Sequence, residues 1–126
     1  MIEISKAVMI KEDKYLLLKR ASLSRAYPDK WDFAGGKHEP GETPEQAVIR
    51  ETKEETALSI NPGKELKKEE YHDKKYDLLF HYFIPTFSGE IRLSDDHSEY
   101  RWISKEDIKD FDLHPSVSMF FQRKPQ

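Results

Sequence analysis

The amino-acid sequence predicts an α+β fold in which helices pack against a mixed β-sheet. Short apolar or aromatic stretches with strand character recur along the chain, whereas only three segments begin with residues that typically start a helix. These strands and helices interleave without the regular β-α-β rhythm of an all-parallel sheet. The 126 residues fit one domain over 1–126, because a chain of this length builds a single main core.

Composition narrows the range of functions. The formal net charge of -3 offers no basic surface for a phosphate backbone, which argues against nucleic-acid binding. The chain has no cysteine, so any metal ion must be held by oxygen or imidazole, and disulfides and a cysteine nucleophile are excluded. The first ten residues carry Glu3 and Lys6 among apolar side chains, which predicts a soluble cytoplasmic protein without a signal peptide or membrane span.

The first third of the chain predicts strands and loops. Apolar stretches at 2–10 and 15–18, on either side of a polar tetrapeptide, predict a β-hairpin. The polar segment 20–30 predicts a loop that leads into a short strand at 31–34 and then into a glycine-rich loop at 35–42.

A helix is expected to begin after this loop. Thr43 provides a hydroxyl for the N-cap, Pro44 suits the first helical position, and Gln46 completes a capping box. This helix should run to about Ala57. The later elements are expected in this order: strands at 66–71 and 76–84, short strands at 90–93 and 100–103 around an acidic loop at 94–99, a helix that opens at 104–107, and a last helix at 115–122.

Three glutamates of the first predicted helix are candidates for binding a metal ion. Glu51, Glu54 and Glu55 share one arc, because residues at i, i+3 and i+4 lie on the same face of a helix. Their like charges repel, Arg50 offsets only part of that repulsion, and a divalent cation compensates it well. In a chain with 36% charged residues such glutamates are ordinarily a solvated face. A glycine-rich loop that feeds directly into the helix N-terminus favours a ligand site instead.

The segment 36–58 resembles the Nudix box. That pattern is a glycine, five residues, a glutamate, seven residues, Arg-Glu, an aliphatic residue, any residue, Glu-Glu, any residue, a glycine and an aliphatic residue. Thr52 stands at the first aliphatic position and Ala57 at the second glycine, and the spacing holds over all 23 residues. The matching positions are Gly36, Glu42, Arg50, Glu51, Thr52, Glu54, Glu55, Ala57 and Leu58.

The resemblance implies an α/β/α sandwich and a metal-dependent active site. It implies that Glu51, Glu54 and Glu55 bind Mg²⁺ or Mn²⁺, together with the carbonyl oxygen of Gly36. Arg50 would orient the carboxylates. The Glu42 side chain would anchor the loop or bind a further metal ion.

The resemblance also implies the reaction, which is hydrolysis of a nucleoside diphosphate linked to another moiety. An ordinary or oxidised nucleoside triphosphate, cleaved to the monophosphate and pyrophosphate, is the favoured substrate because the chain is short. Nucleotide sugars, ADP-ribose and dinucleoside polyphosphates are the alternatives, and a nucleotide-binding module without activity is a further one. Whether the protein is a monomer or a homodimer is left open.

The sequence offers several candidates for the general base and for the residues that contact the substrate. The expected catalytic residues are Glu51, Glu54, Arg50 and Glu99. The general base comes either from the box or from the later loop, where Asp96 and His97 are further candidates. Asp95 and Asp96 are equally well explained as a turn.

The candidates for phosphate contacts are Arg20, Arg25 and Lys37. The candidates for stacking on a base are Trp31, Tyr76, Phe80 and Tyr82, although aromatic residues in strands usually belong to the core. His38, His72, His81 and His114 have no partner at metal-ligand spacing, which predicts no metal role for them.

Overall fold

The computed structural model describes residues 1–122 and has ten strands and three helices in that range. They are, in chain order, β1 (Ile2–Ala7), β2 (Ile10–Lys11), β3 (Lys14–Arg20), β4 (Trp31–Asp32), β5 (Ala34–Lys37), α1 (Pro44–Thr56), β6 (Ser59–Asn61), β7 (Lys67–His72), β8 (Asp77–Phe83), β9 (Thr86–Ser88), β10 (His97–Ser104), α2 (Lys105–Ile108) and α3 (Pro115–Phe121).

The main sheet is mixed, as the sequence predicts. Its strand order is β5-β1-β8-β7, in which β1 runs parallel to β8 and the other neighbours are antiparallel. A second, antiparallel sheet has the order β10-β3-β2, and β4 pairs with β3 beside this path. A two-stranded ribbon of β6 and β9 completes the set. The functional side chains described below come mostly from the main sheet and from α1.

The predicted hairpin at 2–10 and 15–18 is wrong in its first half, because the chain changes sheets after Ala7. The Val8 N–H donates to the carbonyl of Phe83 in the main sheet, whereas the carbonyl of Met9 accepts from the Leu16 N–H in the second sheet. Both side chains are fully buried, and they belong to two different hydrophobic clusters. Only Ile10–Lys11 forms a hairpin, with the start of β3.

The strand predicted at 31–34 is divided in the same way. Trp31–Asp32 pairs with β3 of the second sheet, and Ala34–Lys37 pairs with β1 of the main sheet. Phe33 lies between the two parts with no exposed surface. A continuous apolar stretch in the sequence therefore crosses from one sheet to the other, which periodicity alone does not reveal.

Helix α1 begins where the sequence predicts. The Thr43 hydroxyl accepts from the Gln46 N–H at 3.1 Å, and the Gln46 side chain accepts from the Thr43 N–H at 2.9 Å, which completes the capping box. The helix ends at Thr56, and its C-cap Ala57 adopts the left-handed conformation that glycine takes without strain. Thr52 is fully buried on the side that faces the sheet, and its hydroxyl oxygen has no hydrogen-bond partner within residues 1–122.

Two hydrophobic clusters lie on opposite sides of the sheets, which confirms the α/β/α sandwich. Val48 of α1 packs with Phe83 in one cluster, and Val117 of α3 packs with Phe33 and Tyr82 in the other. Ring contacts join the half-buried Phe120 and Phe121 to Phe33, so this aromatic stretch belongs to the core.

Two further segments differ from the prediction in where their strands lie. Residues 90–93 form no strand; instead Thr86–Ser88 pairs with Ser59–Asn61, and neither strand was expected. Strand β10 begins at His97 and so takes up part of the expected acidic loop. Across residues 1–122, none of the helices combines the length and the apolar character needed to cross a membrane.

We expect Gly35→Ala to lower the free energy of unfolding by about 3 kcal/mol or more, since backbone strain and overpacking each cost roughly 1–3 kcal/mol. Gly35 has φ +127°, and an added Cβ would lie 2.0 Å from the Ser5 carbonyl oxygen. Gly41→Ala is the matched control, because Gly41 also has a positive φ, +80°, but no atom within 4 Å of the added Cβ. Urea unfolding measures both variants, and equal losses of stability would contradict the close approach.

Candidate active site

A cavity of about 500 Å³ opens where β1, β5 and α1 meet the segment 20–30. Acidic, basic and aromatic side chains line different parts of its wall. The lining residues are Ile2, Ile4, Lys6, Arg20, Ser24, Arg25, Ala26, Tyr27, Gly35, Gly36, Lys37, Glu51, Glu55, Tyr76, Leu78, Asp96, His97 and His114.

Two of the three predicted glutamates form the acidic part of this wall. Glu55 is buried, and its Oε1 accepts from the Gly35 N–H at 2.9 Å. Glu51 is half-buried and lies against Gly36, where an added Cβ would come within 2.6 Å of the Glu51 carboxyl carbon. The missing side chains of Gly35 and Gly36 thus allow the backbone of β5 to contact both carboxyl groups.

Burial raises the pKa of Glu55 to about 8, against the opposing effects of the Lys6 ammonium and the Gly35 N–H. Glu51 and Asp32 are nearby negative charges that push this pKa in the same direction as burial. A carboxylate in such a position needs added positive charge to be stable in its ionised form at neutral pH. A divalent cation beside Glu51 and Glu55 provides that charge.

Arg50 connects the acidic side chains of the box. Its guanidinium donates to Glu42 at 2.7 and 2.9 Å, to Glu51 at 2.8 Å and to the Lys37 carbonyl at 3.1 Å. The hydrogen bond from Arg50 lowers the pKa of Glu42 to about 2, so Glu42 is ionised at neutral pH. Glu42 also accepts from the Glu39 N–H, which ties the glycine-rich loop to the helix.

Glu54 lies apart from the other two glutamates. Its side chain is 59% exposed and is 3.2 Å from the Arg50 guanidinium, and it does not line the cavity. Among residues 1–122 the carboxylate oxygens of Glu51, Glu54 and Glu55 do not all come within 4.8 Å of one another. The structure therefore brings Glu51 and Glu55 to the cavity, whereas Glu54 does not line it.

A buried ionic group forms the floor of the cavity, and the sequence reasoning missed it. The Asp32 carboxylate is fully buried and accepts from Lys6 at 3.0 Å and from Arg20 at 3.1 Å. Burial alone would raise the pKa of Asp32, but His114, Lys6 and Arg20 hold it below its ordinary value. The signal that would have found this group is a single charged residue inside the apolar strand segment 31–34.

Arg20 is committed to this group rather than free for a ligand. Its Nε donates to the Ala26 carbonyl at 3.0 Å, so Arg20 joins Asp32 to the segment 20–30. Arg25 and Lys37 are exposed at the cavity, and neither has a side-chain contact described for residues 1–122. They remain available for an anionic ligand.

The aromatic part of the wall differs from the prediction. Tyr82 has no exposed surface and its hydroxyl donates to the Ser116 carbonyl, so the expectation that Tyr82 binds substrate is wrong. Trp31 and Phe80 are likewise core residues. Tyr76 lines the cavity as predicted, beside Tyr27, whose ring centroid is 5.7 Å away and which the sequence reasoning did not select.

Asp96, directly before β10, and His97, the first residue of β10, line the cavity, but Glu99 does not. The Glu99 carboxylate accepts from Arg101 at 2.9 Å outside the cavity, so its position does not support the catalytic role that the sequence predicts. His97 is buried, and its Nδ1 has no hydrogen-bond partner among the described residues. The expected loop therefore supplies one carboxylate and one imidazole.

The donors gathered here fit a hard divalent cation. Glu51 and Glu55 provide carboxylate oxygens, and Gly36 brings backbone against Glu51 with no side chain between them. Oxygen ligands of this kind are those that Mg²⁺ and Mn²⁺ prefer. The arrangement combines a place for a cation with exposed basic side chains for further negative charge.

Comparison with known proteins gives consistent matches over nearly the whole chain. A family model described as the NUDIX domain matches residues 4–123. The chain is 30% identical to a CTP pyrophosphohydrolase of Escherichia coli K12 over 117 residues, which cover 92% of this chain and 85% of that protein. It is 30% identical over 112 residues to the Escherichia coli nucleoside triphosphatase NudI, with 79% of each chain covered. The solved structure of a MutT protein from Methanosarcina mazei Go1 matches with a TM-score of 0.86 and 31% identity, covering 95% of this chain and 89% of that one.

Two buried histidines make the stability fall on the acid side of neutrality. Burial lowers the pKa of His97 to about 4 and that of His114 to about 3, both below the ordinary value of 6.5. Below pH 6.5 the unfolded chain therefore binds protons that the folded chain does not. We expect the free energy of unfolding to fall as pH drops from 6.5 towards 4, by up to about 1.4 kcal/mol per pH unit for each histidine.

Urea unfolding between pH 4.5 and 7.5 measures this slope. His97→Gln should flatten it, whereas His72→Gln should leave the acid-side decline in place, because His72 is exposed and Asp77 raises its pKa. An unchanged slope in His97→Gln would contradict the assignment.

Proposed function

The chain belongs to the Nudix hydrolase family, and on that premise we propose that it hydrolyses a nucleoside triphosphate, ordinary or oxidised, to the monophosphate and pyrophosphate. It is a hydrolase that acts on pyrophosphate bonds. The observation that supports a nucleoside triphosphate as the substrate is a single cavity lined by Glu51 and Glu55 and also by the exposed Arg25 and Lys37. A triphosphate needs both a cation held by carboxylates and direct basic contacts.

Members of this family generally use a divalent metal ion. We propose that Glu51, Glu55, Glu54 and the Gly36 carbonyl hold Mg²⁺ or Mn²⁺. When bound, the ion supplies positive charge against the diphosphate and lowers the pKa of an attacking water. Glu54 is exposed and shares the Arg50 guanidinium with Glu51, so its carboxylate is accessible to an ion that a substrate carries into the cavity.

The remaining residues of the box position these ligands. Arg50 contacts Glu42, Glu51 and Glu54 through one guanidinium, so the spacing of the three carboxylates depends on it. Its Nη2 also donates to the Lys37 carbonyl, which fixes the loop beside the cavity. Arg50 is therefore a positioning residue, with no proposed contact to the substrate.

The proton of the attacking water goes to a carboxylate in this proposal. Within the box Glu54 is the most exposed of the three glutamates, and Asp96 is the carboxylate of the later loop that lines the cavity. Glu54 of the box and Asp96 of the later loop are the two candidates for the base, since Glu99 neither belongs to the box nor lines the cavity.

The substrate class is supported by the size of the cavity and by its aromatic part. A volume of about 500 Å³ suits a ligand of the size of one nucleotide. Tyr27 and Tyr76 both line the cavity, with their ring centroids 5.7 Å apart, and provide surfaces for a base. The relatives named as a CTP pyrophosphohydrolase and a nucleoside triphosphatase act on substrates of this class. Nucleotide sugars, ADP-ribose and dinucleoside polyphosphates are the second candidates.

The direct test is a substrate panel with Mg²⁺. The wild-type protein should release pyrophosphate from nucleoside triphosphates faster than it cleaves ADP-ribose, nucleotide sugars or dinucleoside polyphosphates. Glu51→Gln should reduce kcat by about a hundredfold, which corresponds to about 3 kcal/mol of lost transition-state stabilisation. Glu45→Gln, in the first turn of the same helix and away from the cavity, should leave kcat unchanged.

Two outcomes of this panel would count against the proposal. Faster cleavage of one of the larger substrates would assign the protein to that class instead. Tight nucleotide binding with no product from any substrate would show a nucleotide-binding module without activity.

A second variant tests the basic part of the wall. We expect Arg25→Ala to raise KM for the nucleoside triphosphate by about tenfold with little change in kcat, because a phosphate contact made equally in the ground and transition states affects binding alone. Arg92→Ala removes an exposed arginine outside the cavity and should change neither constant. Steady-state kinetics of both variants measure the difference, and an unchanged KM in Arg25→Ala would remove Arg25 from the substrate contacts.

A further inference from the structure

A second group of potential metal ligands lies on the other face of the main sheet. Glu3, His38 and His81 each place one ligand atom within 4.8 Å of the other two, and no other three such side chains come this close among residues 1–122. The sequence predicts no metal role for His38 or His81, because their partners are distant in the chain. The strand order β5-β1-β8 brings the three residues together, since Glu3 lies on β1, His81 on β8, and His38 directly after β5.

We propose that Glu3, His38 and His81 form a second metal site, which takes a transition-metal ion of the Zn²⁺ type. Two imidazole nitrogens and one carboxylate oxygen are ligands that Zn²⁺ prefers, whereas Mg²⁺ prefers oxygen alone. Three protein ligands leave a fourth tetrahedral position for water or another small ligand.

Glu65 provides the strongest support for this assignment. The Nδ1 of His81 is hydrogen-bonded to the Glu65 carboxylate, and its Nε2 lies 2.8 Å from Oε1 of Glu3. A carboxylate on the far nitrogen of a metal-binding histidine is the usual partner that fixes the ring and increases its basicity. Glu65 thus orients the His81 ring so that Nε2 faces Glu3.

The ligands are held in place before any ion binds. His81 is almost fully buried, with 3% of its side chain exposed, and its ring centroid lies 5.1 Å from that of His38. The Ser5 hydroxyl is hydrogen-bonded to His38 Nε2 at 2.7 Å, and the sheet register pairs Ser5 with His81.

This site is separate from the proposed active site. Along β1, Ile2, Ile4 and Lys6 line the cavity, while Glu3 and Ser5 do not. Side chains alternate between the two faces of a strand, so Glu3 points away from the cavity. An ion at this site would link β1, β8 and the end of β5, the strand that carries Gly35 and Gly36.

The test is a Zn²⁺ titration of the full-length protein, stripped with EDTA and then kept in excess Mg²⁺ to occupy the carboxylate site. NMR of the imidazole nitrogens follows all histidines at once. The nitrogen resonances of His38 and His81 should shift together and saturate at one equivalent of Zn²⁺, whereas those of His72 should not. Shifts that never saturate, shifts confined to His72, or no shift at all would overturn the proposal.

Three variants test whether Zn²⁺ binds at Glu3, His38 and His81 and not at another histidine. His38→Gln changes a half-buried residue that the core does not need, and it should weaken Zn²⁺ binding by at least about tenfold. Glu65→Gln should weaken binding by roughly 10–100-fold through the orientation of His81. His72→Gln is the control, because His72 also has two carboxylates nearby, Glu70 and Asp77, but is not one of the three ligands.

The melting temperature provides an independent measurement. Zn²⁺ should raise it in the wild type and in His72→Gln, because an ion that binds only the folded chain stabilises it. In His38→Gln the increase should be clearly smaller at the same Zn²⁺ concentration. An equal increase in all three proteins would show binding elsewhere and would overturn the site, whatever the activity assays show.

Discussion

Strand β5 packs against both β1 and α1 so closely that two of its residues must be glycine. A Cβ on Gly35 would lie 2.0 Å from the Ser5 carbonyl, and one on Gly36 would lie 2.6 Å from the Glu51 carboxyl. Because neither residue has a side chain, backbone from β5 reaches β1 on one side and α1 on the other. The Glu55 carboxylate therefore accepts a hydrogen bond from the Gly35 N–H, and Glu51 lies beside Gly36. Gly35 and Gly36 are thus required by the packing of β5 against β1 and α1.

Charged side chains form two groups near this contact. Arg50 holds Glu42, Glu51 and Glu54 on the outer side, and Asp32 holds Lys6 and Arg20 beneath the cavity. Breaking a buried ion pair by removing one partner is costly, since the other charge stays desolvated. Asp32 therefore fixes β1 and the start of the segment 20–30 relative to each other. The cavity depends on this group for its shape although no box residue belongs to it.

Local signals and fixed spacings were predictable from the sequence, whereas contacts between distant segments were not. The capping box at Thr43 and the Nudix spacing from Gly36 to Leu58 depend on neighbours in the chain, and the structure confirms the helix start. Tyr82 and Glu99 were misjudged because alternation along a strand does not tell which face meets the cavity and which meets the core or a neighbouring charge. His38, His81 and Glu3 are joined only by the strand order, so no spacing rule finds them.

The two places where a strand passes between sheets limit how the protein can adapt to a ligand. At Val8 and Met9, and again at Phe33, buried residues link the sheets through continuous backbone. A hinge or a sliding motion between the two sheets would have to expose these side chains and break both connections. The segment 20–30 lines the cavity without crossing from one sheet to the other. Evolution could reshape that segment without disturbing the rigid frame that holds the carboxylates.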